Sequence, residues 1–183
     1  MKKYELTGET KEIGGVTLHR IRALIDIPEH YVKAGDLGGW IEAERNLSQK
    51  GAAWVSDEAR VMGTALVMGS AWVMDSARVT GEARVMDSAR VMDAALVMGK
   101  ARIMKSSDCI TIGAIGSRDD TTTFYRGMDG GIYVSCGCFR GSIDDFAAKV
   151  KAVHAGTKHE RTYLLAIELA KAQIATEEEG SDD

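Results

Sequence analysis

The sequence predicts a mainly β chain built around a parallel solenoid of very short strands, and three observations carry that prediction. Ala recurs every six residues, at Ala53, Ala59, Ala65, Ala71, Ala77, Ala83, Ala89, Ala95 and Ala101. An aliphatic residue follows each Ala two positions later, from Val55 and Val61 through to Val97 and Ile103. Two positions beyond that comes Gly or Asp: Asp57, Gly63, Gly69, Asp75, Gly81, Asp87, Asp93 and Gly99. A helix would scatter a six-residue period around its circumference, whereas an extended strand puts residues two apart on one face. Ala and the aliphatic residue therefore point inward. The residue between them points outward, and it is Arg60, Arg78, Arg84, Arg90 or Arg102 in five of the nine repeats, a side chain almost never buried unpaired. Gly and Asp suit a corner, through positive φ or a side chain that bonds local backbone. Each hexad is a strand plus a corner, too short to pair within itself, so hexads stack coil upon coil.

Upstream, "LHRIRALIDIP" alternates in the manner of a strand, and "VKAGDLGGWIEAERNLSQKG" leads into the first hexad with Ile41 and Leu47 six apart and Leu47 six before Ala53. Residues 1–52 read as an N-terminal β cap and a degenerate first coil, and 53–105 as about three coils. Adding eighteen stacks Trp54, Trp72 and Arg90 on one wall, Arg60, Arg78 and Leu96 on a second, and Leu66, Arg84 and Arg102 on the third.

The spacing in "VMGTAL" and "VMDSAR" resembles the left-handed parallel β-helix of hexapeptide-repeat proteins, in which three hexads make one triangular coil. That resemblance implies the left hand and a homo-oligomer, with a trimer favoured. One departure stands out: the residue after the aliphatic one is Met62, Met68, Met74, Met86, Met92, Met98 or Met104, where the family carries a small or acidic residue. Such a row either folds over the corners as adaptable filler or is covered by another copy of the chain, as exposed apolar patches usually are. The second reading is favoured and places Trp54, Trp72, Met74 and Met92 at an oligomer interface. The segments "VKAGDLGGWIE", "NLSQKGAAWV", "GSRDDTTTFYR" and "GIYVSCGCFRG" together resemble an uncharacterised family found in phages and prophage-bearing bacteria, over nearly the whole chain.

Composition shifts at Ser106. "CITIGAIGS", "TTTFYRG" and "GIYVSCGCF" read as three strands separated by turns. A first helix starts at a capping pair, Ser142 with Asp145, and shows Ile143, Phe146, Val150 and Val153 on one face. A second shows Tyr163, Leu164, Ile167, Ala170 and Ile174. The fold class is thus mainly β: a left-handed parallel β-helix with an N-terminal β cap and a small C-terminal α+β module of three strands and two helices over 106–176. The acidic tail, 177–183, is expected to be disordered. It supplies five of the negative charges behind the formal net charge of -4, so the rest of the chain is close to neutral and nucleic acid is not an expected partner. No apolar run suggests a membrane span or signal peptide, and the odd count of Cys109, Cys136 and Cys138 fits a reducing compartment. The expected location is the cytoplasm of a bacterial host.

Three kinds of chemistry compete. Acyl transfer, common among hexapeptide helices, uses a His on the prism and coenzyme A between prisms; none of His19, His30, His154 and His159 falls within the repeats. Zinc could draw on Cys109, Cys136, Cys138, His154 and His159, but closely spaced thiols in a strand are more often core, so neither a metal nor a cofactor is expected. Anion binding could use Arg118, Thr121 and Arg126 in the first hairpin, and Arg140 with Ser142 ahead of a helix N-terminus. These readings converge on a non-enzymatic, homo-oligomeric phage-type binding protein that sequesters a small anionic nucleotide signal of bacterial defence between protomers. A structural or protein-interaction scaffold is the first alternative, an acyltransferase the second.

Overall fold

In the computed structural model, which describes residues 1–174, Tyr4–Ile13 (β1) and Val16–Ala23 (β2) form an antiparallel hairpin, and β2 pairs antiparallel with Leu37–Ile41 (β3). The expectation of a disordered tail lies outside the described residues. β3 is also the first rung of the solenoid, because Trp40 pairs in parallel with Arg60 and Ile41 with Val61. Leu47 lies beside Val67, whereas Trp54 lies beside Trp72. The degenerate coil is therefore two residues longer than those above it.

One two-residue strand follows per hexad: β4 (Trp54–Val55), β5 (Arg60–Val61), β6 (Leu66–Val67), β7 (Trp72–Val73), β8 (Arg78–Val79), β9 (Arg84–Val85), β10 (Arg90–Val91), β11 (Leu96–Val97) and β12 (Arg102–Ile103). They stack in three parallel columns, β4–β7–β10, β6–β9–β12, and β5–β8–β11 above β3, which makes a β-solenoid of about 4 turns. Every repeat Ala and every repeat Val or Ile is buried inside. The corner residues take positive φ, and the Asp57 and Asp75 carboxylates accept from the backbone N–H of Asp75 and Asp93 one coil above, at 3.2 and 3.0 Å. Asp at a corner thus adds a bond between coils that Gly lacks.

A solenoid leaves an open rung at each end, and unpaired backbone there is both costly and a template for aggregation. The first rung exposes carbonyls, and the chain meets them with donors. Lys3 Nζ donates to Ala53 O at 2.7 Å, Asn46 Nδ2 to Ala65 O at 2.8 Å, and the Tyr4 hydroxyl to Leu47 O at 2.7 Å. At the last coil the sense reverses and acceptors are supplied. The Leu96 N–H donates to Thr123 Oγ1 at 3.0 Å, and the N–H groups of Met104 and Lys105 donate to Asp108 Oδ2 at 2.9 and 3.1 Å.

Beyond the solenoid, Cys109–Ile115 (β13), Asp120–Arg126 (β14), Ile132–Cys136 (β15) and Phe139–Ser142 (β16) form an antiparallel meander of four strands, not the three expected. Gly137 at φ 55 reverses the chain inside what reads as one strand, and Cys136 pairs with Phe139 across the turn. Ile143–His154 (α1) and Lys158–Gln173 (α2) follow, with Ser142 Oγ accepting from the Asp145 N–H and Thr157 Oγ1 from that of Glu160. Strand alternation splits the sheet: Phe124, Ile132 and Val134 pack against Phe146, Val150 and Ile167 of the helices, while Tyr125 and Tyr133 turn toward the solenoid. The module sits on the end of its own solenoid.

Candidate functional site

The junction between the last coil and this sheet leaves a groove of about 920 Å³, within the size range of small-molecule sites. One wall is the corner Met98–Ala101 with Glu82 from the coil below. The other is Tyr125, Tyr133 and Arg140 on the sheet face, and the hairpin turn bearing Met128 and Asp129 forms the end. The groove exists because the sheet is fastened beside it: Met128 N–H donates to Lys100 O at 2.9 Å, and Ala101 bridges to Gly127.

Tyr125 and Tyr133 are cross-strand partners whose rings lie nearly parallel, with centroids 6.4 Å apart and planes 19° from each other. The Tyr133 hydroxyl donates to Asp129 Oδ2 at 2.6 Å, and Asp129 Oδ1 accepts from the Gly131 N–H. The bond to Asp129 holds the Tyr133 hydroxyl above the usual phenol range and the Asp129 carboxyl below its own. Burial raises Tyr125 likewise. Asp129 is therefore engaged, while Lys100 and Arg140 have no ion-pair partner among the described residues. Arg140 Nη1 is positioned by donating to Gly137 O at 2.7 Å and to Phe139 O. Chemically the groove combines a rigid aromatic surface, two thioethers, two cations and two carboxylates, Asp129 bound to Tyr133 and Glu82 at the lower coil; the ring surface beside Lys100 and Arg140 suits a flat apolar group joined to an anion.

The residues proposed from sequence for anion binding do not come together. Arg140 lines the groove. Arg118 lies on the far side of the sheet, in a second cleft beside α1. Thr121 is half-buried, and its N–H donates to Asp120 Oδ1. Arg126, expected as a ligand donor, is buried and its Nε donates to Asp108 Oδ1 at 3.0 Å, because the short 3-10 turn Ser106–Asp108 places a carboxylate under β14. Ser142 is occupied as the cap of α1 and also donates to Asp145 Oδ2.

The four residues expected at an oligomer interface also divide. Trp54 is 1% exposed, covered by its own chain, with Tyr4 edge-on at 6.4 Å. Trp72 is half-buried beneath the loop that carries His30, the two rings stacked at 4.8 Å, and its indole N–H donates to Ser56 Oγ at 2.8 Å. The N-terminal segment thus takes the wall that the repeat alone leaves bare. Met74 is half-buried and Met92 is 37% exposed.

Of the candidate zinc donors, Cys109 belongs to the solenoid-side cluster and Cys136 to the helix-side one. Among the described residues no group of three His, Cys, Asp or Glu could hold a metal ion. No helix among them is long and apolar enough to cross a membrane.

Sequence reasoning missed Tyr125, Tyr133, Lys100 and Met128, and placed Met98 only in the outward Met row. A signal was present for the tyrosines, which stand at equal distance on either side of Asp129, so a hairpin centred on "MDGG" brings them opposite each other. No family model matches the chain, and no curated protein matches it.

Proposed function

We propose that the chain is a non-enzymatic, self-associating binding protein that captures a small nucleotide-class anion in the groove between its last coil and its C-terminal sheet. The observation that carries this reading is the placement of Tyr133 and Met98 beside Lys100 and Arg140, two cations without ion-pair partners among the described residues. The ring and thioether surfaces suit a base, the cations a phosphate. The left hand of the solenoid, phage-type ancestry and sequestration of a bacterial defence signal belong to the same reading and rest on the sequence resemblances. A neighbouring protomer would close the open side of the groove. Exposed Met68 and Met92, at two different corners of the solenoid, and Leu165 and Leu169, four apart on α2, are the apolar side chains available for self-association to cover.

Differential scanning of the purified chain with mono-, di- and cyclic nucleotides tests the binding claim. At least one nucleotide is expected to raise the melting temperature, since a ligand selective for the folded state stabilises it, and Tyr133→Ala and Arg140→Ala are expected to abolish the rise. No shift with any nucleotide overturns the reading. Light scattering tests self-association: a mass well above 19.8 kDa is expected, and the monomer mass overturns that part.

A further inference from the structure

The opposite face of the C-terminal sheet carries a second, smaller cleft that the nucleotide reading does not use. It measures about 250 Å³ and opens between the turn at Gly116–Arg118, the β15–β16 turn and α1. Its floor is apolar, made by Phe139, Phe146, Val150 and Val153, and Val153 remains 57% exposed. Its rim carries two cations, Arg118 and Lys149, with the His154 imidazole beside them. Among the described lining residues one carboxylate is present, Asp120, and its Oδ1 already accepts the Thr121 N–H at 2.7 Å. Neither Arg118 nor Lys149 has an ion-pair partner among the described residues.

At the inner end stands the Tyr163 hydroxyl, 3.7 Å from Cys136 Sγ, whose ring packs edge-on to Phe146 at 5.4 Å. Gly116, at φ 80, makes room for it, since a Cβ there would overlap the hydroxyl. Burial pushes the phenol up to about 12, so it remains a neutral donor at any physiological pH. Phe146 and Val150 at the bottom belong to the module's own core, but Phe139 is half-buried and Val153 exposed beside cations without carboxylate partners, an apolar edge that a purely structural cluster would cover. The volume equals that of about eight liquid waters, room for one ring or a short branched chain bearing a single acid group.

We propose that this cleft is a second ligand site, for a small carboxylate with an aromatic or branched apolar body: Arg118 and Lys149 hold the carboxylate and the Phe139, Phe146 and Val153 surface takes the body. The site is separate from the groove, from which the sheet itself divides it. Its occupancy does not depend on nucleotide binding.

Cys138, exposed in the β15–β16 turn and lining the cleft, supplies a reporter. The probe is 5,5′-dithiobis(2-nitrobenzoate), an aromatic carboxylate and a disulfide. The Cys138 thiolate attacks one sulfur, a mixed disulfide forms, and thionitrobenzoate leaves and is read by absorbance. The neutral 2,2′-dithiodipyridine serves as the reference reagent, and Cys138→Ser assigns the reacting phase. In the full chain the anionic reagent is expected to react faster relative to the neutral one than it does with free glutathione. The double variant Arg118→Ala, Lys149→Ala is expected to lower that ratio roughly tenfold or more, as loss of charge-assisted bonds implies, with the neutral rate unchanged. Benzoate is expected to slow the anionic reagent at concentrations where chloride of equal ionic strength does not. The same ratio in parent and variant, or equal protection by chloride and benzoate, overturns the proposal. Unaltered nucleotide shifts in the double variant are expected and keep the two sites distinguishable.

Discussion

Arg126 Nε donates to Asp108 Oδ1 at 3.0 Å, with the two side chains only 9% and 3% exposed, and this pair fastens the C-terminal sheet to the last coil. Asp108 also closes that coil through the N–H groups of Met104 and Lys105. Removing one member of a buried pair leaves an uncompensated charge and costs about 3–5 kcal/mol, whereas replacing both with neutral groups costs far less. Arg126→Met is therefore expected to lower stability in urea by that amount, and Arg126→Met with Asp108→Asn to recover part of the loss. Strictly additive losses in the double variant would contradict the pairing.

The Lys3 ammonium, 1% exposed, donates to Ala53 O and Gly51 O at the solenoid's first rung. Burial lowers its pKa from 10.5 to about 8. Below about pH 8 the folded chain carries a buried charge. Between there and 10.5 it has released a proton that the unfolded chain retains, so stability rises with pH across that window. Melting temperatures of the parent minus those of Lys3→Met are expected to climb from pH 7 to 10. A flat difference would refute the assignment.

Gly69 and Gly99 both sit at corners with positive φ, 69° and 64°, yet their surroundings differ. A Cβ at Gly69 would stand 2.8 Å from the Asp87 nitrogen of the coil above, while one at Gly99, in the last coil, meets nothing within 4 Å. Gly99→Ala is expected to cost about 1–2 kcal/mol, the penalty of a left-handed conformation for an L-residue. Gly69→Ala adds crowding worth roughly 1–3 kcal/mol more. Equal losses on chemical denaturation would show that the coils stack less closely than 2.8 Å implies.

The solenoid was legible because each hexad carries its own instruction. Ala and Val two apart select one strand face, and Gly or Asp permits the corner, so a local rule repeated nine times specifies a wall without reference to anything distant. The helices were legible for the same reason: Ser142 caps the first locally, and the Phe146 and Val150 spacing marks the buried face, although the Thr157 cap of the second was read only from the structure. The fourth strand was not, since "GIYVSCGCF" keeps a strand composition on both sides of Gly137 and only the φ of that one residue turns the chain.

Burial and pairing between distant segments depended on the tertiary structure. Trp54 carries the same repeat position as Arg60, and nothing in the repeat says that residues 1–36 will cover one wall and leave another open. Arg126 reads as a candidate anion ligand until Asp108 is placed beneath it. The groove joins residues 98–101 to 125–141, and the cleft joins Arg118 to Lys149 and Tyr163. The repeat determined strand, corner and inward face, because those follow from one residue's neighbours along the chain. Which outward side chains meet one another, and therefore where a ligand finds aromatic surface beside cations, followed from long-range docking that no local period encodes.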